Sequence, residues 1–196
     1  MSVNLQKGQK IDLTKDNAGL KKLRVGLGWD PVKKKGGFFS IKPANIDCDA
    51  SVFACDANGR LKSKEDIVYF GNLHHHSKAI NHAGDNLTGD GDGDDEQILV
   101  DLAALPPGYE KLVFVVNIYK AWERKQHFGM LKNAYIRIMN DDTKQELCRY
   151  NLAENYDGMT AMIFGEVYQH GSEWKFSAIG QPTQDKGLTE LAARYR

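Results

Sequence analysis

Few of the features that mark secreted, membrane-spanning or thiol-dependent proteins occur in this sequence. The 196 residues include three cysteines, Cys48, Cys55 and Cys148, an odd number without the spacing of a metal motif. No apolar run reaches the roughly 18 residues that a membrane-spanning helix needs, and the first residues do not read as a signal peptide. We therefore expect a cytoplasmic protein that is not integral to a membrane, with buried thiols.

Basic residues are missing from one long window. Between Ala79 and Glu110 there are eight carboxylates and neither Lys nor Arg, so the rest of this formally neutral chain carries a charge of about +8. Four glycines let the backbone turn tightly among these acids. Six of the acids fall within twelve residues: Asp85, Asp90, Asp92, Asp94, Asp95 and Glu96. Such a segment repels itself unless a cation neutralises it.

Residues 83–97, the acidic loop, therefore predict a metal site. The carboxylates, and the backbone carbonyls that the glycines leave accessible, favour Ca²⁺ over Mg²⁺. Ca²⁺ takes roughly 6–8 oxygen ligands. A solvated linker is the alternative, but a strand-like segment follows directly at Ile98–Leu102. An EF-hand does not fit, because Asp95 stands where that loop needs glycine and Asp101 where it needs glutamate.

A second pair of carboxylates lies on a predicted strand. Residues 46–55 alternate strictly, which places Asp47 and Asp49 on one face about 6–7 Å apart. These two carboxylates could bind one cation together or lie beside two. The alternative is that they form an exposed polar face of the strand.

Four histidines allow a transition-metal interpretation. If residues 74–76 are extended, only His74 and His76 face the same way, with His82 as a third candidate ligand. The competing interpretation is that these histidines are ordinary polar side chains exposed to solvent.

Many short strands separated by turn residues predict an all-β fold, a β-sandwich of two mainly antiparallel sheets. We expect a single domain over residues 1–196. We expect a few short helices, including one near the C-terminus at Leu188–Tyr195. The segment Lys111–Tyr119 is apolar nearly throughout, which predicts a strand that is buried on both faces or lies at a sandwich core. Nucleic acid is not expected as a partner, because the basic run Lys33–Lys35 lacks interleaved aromatics.

A set of motifs runs in order over nearly the whole chain. They include Val25-Gly-Leu-Gly-Trp-Asp30, Asp47-Cys-Asp-Ala-Ser51, Gly84-Asp-Asn-Leu-Thr-Gly89, Gly93-Asp-Asp-Glu96, Asn133-Ala-Tyr-Ile-Arg137 and Trp174-Lys-Phe-Ser-Ala-Ile-Gly180. With these motifs the sequence resembles the TerD family of tellurium-resistance and stress-response proteins. The resemblance implies a β-sandwich that binds two Ca²⁺ ions between an acidic loop and a neighbouring strand, and that works in protein complexes near the inner membrane surface. The ligands that it implies are Asp47, Asp49, Asp85, Asn86, Asp92, Asp94, Asp95 and Glu96.

The function predicted first is a calcium-binding, non-enzymatic module of a resistance system, because the chain has no Ser/His/Asp spacing and no phosphate-cradling Gly-Lys motif. The alternative is a two-metal hydrolase that uses Asp47, Asp49, Asp85 and Glu96 to hold its cations. Tellurite reduction is disfavoured, because two flanking carboxylates oppose ionisation of the Cys48 thiol.

Overall fold

Two six-stranded sheets make up the protein. The computed structural model describes residues 2–15, 17–31, 46–84, 93–152, 154 and 156–196. The strands are β1 (Val3–Leu5), β2 (Lys10–Asp12), β3 (Lys22–Pro31), β4 (Cys48–Cys55), β5 (Ile67–Val68), β6 (Ile80–His82), β7 (Glu96–Asp101), β8 (Lys111–Ile118), β9 (Leu131–Asn140), β10 (Glu146–Asn151), β11 (Ala161–His170) and β12 (Glu173–Thr183). The α-helices are α1 (Ala121–Arg124) and α2 (Leu188–Ala193), and 3-10 turns occupy Lys64–Asp66 and Phe128–Met130.

The first sheet has the order β1-β10-β9-β3-β7-β6, and the second has the order β2-β12-β11-β8-β4-β5. The strands pair antiparallel, except that β1 runs parallel to β10. The predicted all-β fold with two mainly antiparallel sheets and a short helix near the C-terminus is thus confirmed.

The main core lies between the sheets and follows from strand alternation. In β3, Leu23, Val25 and Leu27 are fully buried, and they share one apolar cluster with Leu112 and Phe114 of β8. The alternate residues of β8 belong to a second apolar cluster that includes residues of α2. This arrangement explains why β8 is apolar nearly throughout and confirms that it is buried on both faces.

Several elements lacked a clear signal in the sequence. The short strands β1 and β6 and the four-residue helix α1 were not predicted. The strand that follows the turn at Asp56–Gly59 has only the two residues of β5, which pair with β4 at Val52 and Phe53. The rest of this edge of β4 can therefore be approached by side chains from the other sheet.

Glycines in β3 allow two close approaches on the outer face of the first sheet. A Cβ atom at Gly26 would overlap the carboxylate of Asp94, and one at Gly28 would lie 2.5 Å from the ring of Tyr135. The cross-strand neighbours of Gly26 are Gln97 on β7 and Arg137 on β9. The missing side chain at Gly26 therefore makes the space that the Asp94 carboxylate fills.

We expect Gly26→Ala to lower the free energy of unfolding by about 1–3 kcal/mol, as overpacking of a filled site does. Urea denaturation of the wild type and the variant measures this loss. In an Asp94→Ala background the same substitution should cost clearly less, because the carboxylate that the methyl group meets is gone. Equal costs in the two backgrounds would show that Asp94 is not the neighbour responsible.

Candidate metal centre

The two predicted sets of carboxylates meet where β4 faces the beginning of β7. Asp47 precedes β4 and Asp49 lies on it, while Asp95 immediately precedes β7 and Glu96 begins it. These four residues, here called the carboxylate cluster, come from different sheets. Cys48 lies among them with no exposed surface.

The negative charges of the four acids all act on the Cys48 thiol. Burial raises the pKa of its thiol well above the ordinary value, and the negative charges of Asp49, Glu96, Asp47 and Asp95 raise it further, in that order. All four acids therefore act on one buried point between the strands. Acids separated by about fifty residues in the sequence are brought together by the packing of the two sheets.

Glu96 reaches across to the part of the β4 edge that β5 leaves uncovered. Its Oε2 accepts a hydrogen bond of 2.5 Å from the Ala50 amide, and it lies 3.4 Å from Nε2 of His82. The same Nε2 lies 3.2 Å from the Ala50 carbonyl oxygen, and the Gly84 amide donates to Nδ1 at 3.1 Å. Nε2 therefore carries the proton of a neutral ring. His82 is 3% exposed and Glu96 is 2% exposed, so both are part of the interior.

The two aspartates near β4 have different neighbours. Asp49 is 5% exposed, and Oδ2 accepts a 3.5 Å hydrogen bond from the Asn117 amide group on β8. The Asp47 side chain is 16% exposed, and its Oδ2 is 3.6 Å from a guanidinium nitrogen of Arg124 on α1. The predicted polar strand face is therefore largely buried, and Asp47 marks its accessible end.

Asp94 has a separate position on the outer face of the first sheet. Arg137 holds it through two bonds, with Nε 2.7 Å from Oδ1 and one terminal nitrogen 3.0 Å from Oδ2. Tyr135 donates its hydroxyl to Oδ1 at 2.9 Å, and Gln97 donates its amide to Oδ2 at 3.0 Å. The side chain has no exposed surface. Asp94 thus fixes the end of the acidic loop to strands β7 and β9.

Asp95 joins the same loop to β3 at a further point. Its Oδ2 accepts a 2.7 Å hydrogen bond from the Trp29 amide, and its own amide donates to the Leu27 carbonyl at 2.8 Å. Three consecutive acids thus engage three different parts of the fold.

The remaining predicted ligands, Asp85, Asn86 and Asp92, lie outside the described residues. Among the described residues, the five predicted carboxylates do not include three whose ligand atoms all lie within 4.8 Å of one another. Within the described residues, the carboxylate cluster brings four of the predicted ligands to one region of the fold, while Asp94 lies apart from them on Arg137.

The histidine prediction is corrected in one respect. His74 is exposed, with Nδ1 2.9 Å from the Asn81 side-chain oxygen, and His82 is near Glu96. The rings that lie together are those of His75 and His76, with centroids 4.1 Å apart. The segment turns at residues 75–78, where the Lys78 amide bonds the His75 carbonyl, so the alternation of an extended strand does not apply.

Asp66 and Tyr109 complete this group, and neither was predicted to have a role. Burial alone would raise the pKa of Asp66, but hydrogen bonds from Tyr109, the Ser63 amide and His75 lower it overall. The carboxyl group is therefore ionised although it is 1% exposed. The capping pattern from Ser63 to Asp66 is readable in the sequence, whereas the distant contact with Tyr109 is not.

The three cysteines are buried, as expected. Burial is the first cause that raises the pKa of the Cys55 and Cys148 thiols to about 12 each, and Cys48 is also strongly raised. All three are therefore thiols at neutral pH. In the native fold none offers the thiolate that reduction of an oxyanion would need.

A family model for the TerD domain matches residues 1–195 of this chain. The chain belongs to the TerD family. It is 53% identical over 199 residues to stress response protein SCP2 of Bacillus subtilis (strain 168), covering 100% of both chains. It is 42% identical over 195 residues to tellurium resistance protein TerD of Serratia marcescens, covering 100% of this chain and 97% of that relative.

The TerD fold is also found among solved structures. A homologue of telluride resistance protein (TerD) from Streptomyces coelicolor A3(2) superimposes with a TM-score of 0.61 at 22% identity, covering 85% of this chain and 92% of the other. At that identity the likeness establishes the fold alone. None of the helices in the described part of the chain is long and apolar enough to cross a membrane.

Proposed function

We propose that this TerD-family protein is a calcium-binding, non-enzymatic module of a tellurium-resistance or general stress-response system. It acts in the cytoplasm through complexes with other stress-resistance proteins, at or near the inner membrane surface. The observation that carries the calcium part is that β4 packs beside the start of β7, which brings Asp47 and Asp49 close to Asp95 and Glu96, with the Glu96 carboxylate bonded to the Ala50 amide of β4.

The donor chemistry of this cluster fits a hard cation. Its carboxylates are oxygen ligands of the kind that Ca²⁺ prefers, and Asn117 adds an amide beside Asp49. The neighbouring imidazole of His82 is directed at Ala50 and Glu96, and the thiol of Cys48 is protonated. Soft ligands that would favour a transition metal are thus not offered to the cluster.

We assign the ligands of two Ca²⁺ ions to Asp47, Asp49, Asp95 and Glu96 together with Asp85, Asn86 and Asp92 of the acidic loop. Asp94 belongs to the predicted set as well, and its bonds to Arg137 favour a role in anchoring the loop. When bound, the ions would neutralise carboxylates that otherwise repel one another across the two sheets.

The physiological part of the proposal rests on the family and on the thiols. The matched relatives are named for stress response and tellurium resistance. Thiols with raised pKa values argue against a direct reductase, so protection against a toxic oxyanion would come through partners. A non-enzymatic protein that acts through partners agrees with the names of the relatives and with the raised pKa values of the thiols.

Calorimetric titration with Ca²⁺ and Mg²⁺ tests the calcium site. We expect clear preference for Ca²⁺, and at least about tenfold weaker binding in both Asp49→Asn and Asp85→Asn, because a carboxylate ligand becomes a neutral amide in each. The first variant lies on the strand and the second in the acidic loop, so loss in both means shared ligation.

The matched control is Asp56→Asn, beyond the other end of β4. There Oδ1 accepts hydrogen bonds from the Asn58 and Arg60 amides, and an asparagine oxygen can still accept them. Its calcium affinity should equal that of the wild type. Equal affinities for Ca²⁺ and Mg²⁺ would refute the proposal, and wild-type binding by Asp49→Asn would mean that the acidic loop binds calcium alone.

A further inference from the structure

A second group of metal-ligand side chains lies apart from the acidic residues. Asp66, His75 and His76 each present one ligand atom, and these atoms all lie within 4.8 Å of one another. We call this group the histidine cluster. Asp66 and His75 are 1% exposed, while the His76 side chain is 51% exposed. Two members of the cluster are therefore buried, and the third is accessible to solvent.

The carboxylate of Asp66 is held in a fixed direction. It ends the 3-10 turn Lys64–Asp66, and its Oδ2 accepts a 2.8 Å bond from the Ser63 amide in a capping box. The other oxygen, Oδ1, is 3.2 Å from Nε2 of His75 and 4.0 Å from Nε2 of His76. One carboxylate oxygen and two imidazole nitrogens therefore converge.

Neighbouring groups orient these ligands. Nδ1 of His75 is 2.7 Å from the Ser77 hydroxyl and accepts a 3.3 Å hydrogen bond from the Ser77 amide. Metal binding at Nε2 would place the ring proton on Nδ1, where the Ser77 hydroxyl oxygen can accept its hydrogen bond. Tyr109 donates its hydroxyl to Oδ1 of Asp66 at 2.7 Å, and the same hydroxyl lies 3.3 Å from Nε2 of His76. Its ring packs edge-on against His75 with centroids 5.0 Å apart. Hydrogen bonds of this kind usually position metal-binding histidines and carboxylates.

We propose that the histidine cluster binds one divalent transition-metal ion of the zinc class through Nε2 of His75, Nε2 of His76 and Oδ1 of Asp66. Metal–ligand bonds of about 2.0–2.2 Å place tetrahedral ligands about 3.3–3.6 Å apart. The two distances from Asp66, 3.2 and 4.0 Å, lie on either side of that range, so a small rotation of the exposed His76 ring closes the site. The open side leaves the fourth position to water.

This site differs chemically from the proposed calcium site. Two imidazoles and a carboxylate suit zinc and its neighbours, whereas calcium prefers a full set of oxygens. Saturating Ca²⁺ should therefore leave the histidine cluster available.

Zinc titration of the full chain without a histidine tag, in saturating Ca²⁺ and against a chromophoric chelator, tests the proposal. We expect one zinc ion per chain in the wild type and at least about tenfold weaker binding in His76→Ala, which loses an imidazole ligand. His76 is half exposed, so its removal should leave the fold intact.

His74→Ala is the matched control, since His74 belongs to the same run, is exposed and bonds Asn81 outside the cluster. It should bind zinc like the wild type. Co²⁺ gives a second readout: its visible absorption should appear in the wild type and His74→Ala and be lost in His75→Ala and His76→Ala. Equal zinc affinity in the wild type and His76→Ala, or equal weakening by His74→Ala, overturns the proposal.

Discussion

Asp94→Ala is expected to lower the free energy of unfolding by about 3 kcal/mol, since removal of one partner of a buried ion pair leaves the other charge uncompensated. For a chain of this length that loss corresponds to a fall in Tm of roughly 6–12 °C. The Asp94 carboxylate is inaccessible to solvent and bonded at both oxygens by Arg137, whose side chain is 24% exposed.

The size of the effect follows from what the substitution leaves behind. Arg137 would keep only its 3.4 Å contact with Glu146 among its described acidic partners, and Gln97 would lose its acceptor at Oδ2. Tyr135 could still donate to the Gly93 carbonyl, 2.8 Å away, which limits the loss. The exposure of Arg137 also permits partial solvation, which is why we expect the lower end of the range for buried pairs.

Urea and thermal denaturation measure the change, and Asp142→Ala is the control. Asp142 is an exposed acid in the turn between β9 and β10, and its removal should alter stability by no more than about 0.5 kcal/mol. In a double-mutant cycle with Arg137→Met, the two losses should be strongly non-additive. Additive losses, or an Asp94→Ala protein as stable as the wild type, would count against the anchoring role.

Under the calcium proposal, in which the ion binds the folded chain only, calcium at a hundredfold excess over Kd is expected to raise the free energy of unfolding by about 2.7 kcal/mol. The corresponding rise in Tm is roughly 5–11 °C. The physical reason is that folding brings Asp47, Asp49, Asp95 and Glu96 around one point, whereas the unfolded chain separates them. Monovalent salt should recover only part of this gain, since screening weakens repulsion without supplying coordination.

Melting curves with calcium, with chelator and with chelator plus sodium chloride measure this effect. The apo protein should still fold, because the core between β3 and β8 does not involve the carboxylate cluster. Hydrogen exchange provides a local readout, since the Ala50 amide donates to Glu96 and should exchange faster when calcium is chelated. A Tm that is the same with calcium and with chelator would contradict the calcium proposal.

The local pattern of residues was sufficient to predict many of the strands. Alternation in β4, the apolar run of β8 and the turn residues between later strands predicted elements that the structure contains. Each of these signals depends on a side chain's position within its own strand, which the sequence records directly.

The role of each charged residue in the acidic loop depends on partners that are distant in the sequence. Asp94, Asp95 and Glu96 are chemically similar neighbours, yet they bond Arg137, Trp29 and Ala50 respectively. Composition predicted that the loop was acidic and suited to a cation. It could not separate an anchor from a ligand, because that depends on which strand the sheet order places beside each carboxylate.

The histidines show the same limit. Alternation in an extended chain paired His74 with His76, but a turn at residues 75–78 brings His75 and His76 together beside Asp66 and Tyr109. The sequence by itself determined most of the strands, the sandwich and the family, because hydrophobic periodicity and motif spacing are properties of consecutive residues. Only the tertiary structure decided which acids and imidazoles share a site, because contacts between sheets and loops join residues that the sequence leaves tens of positions apart.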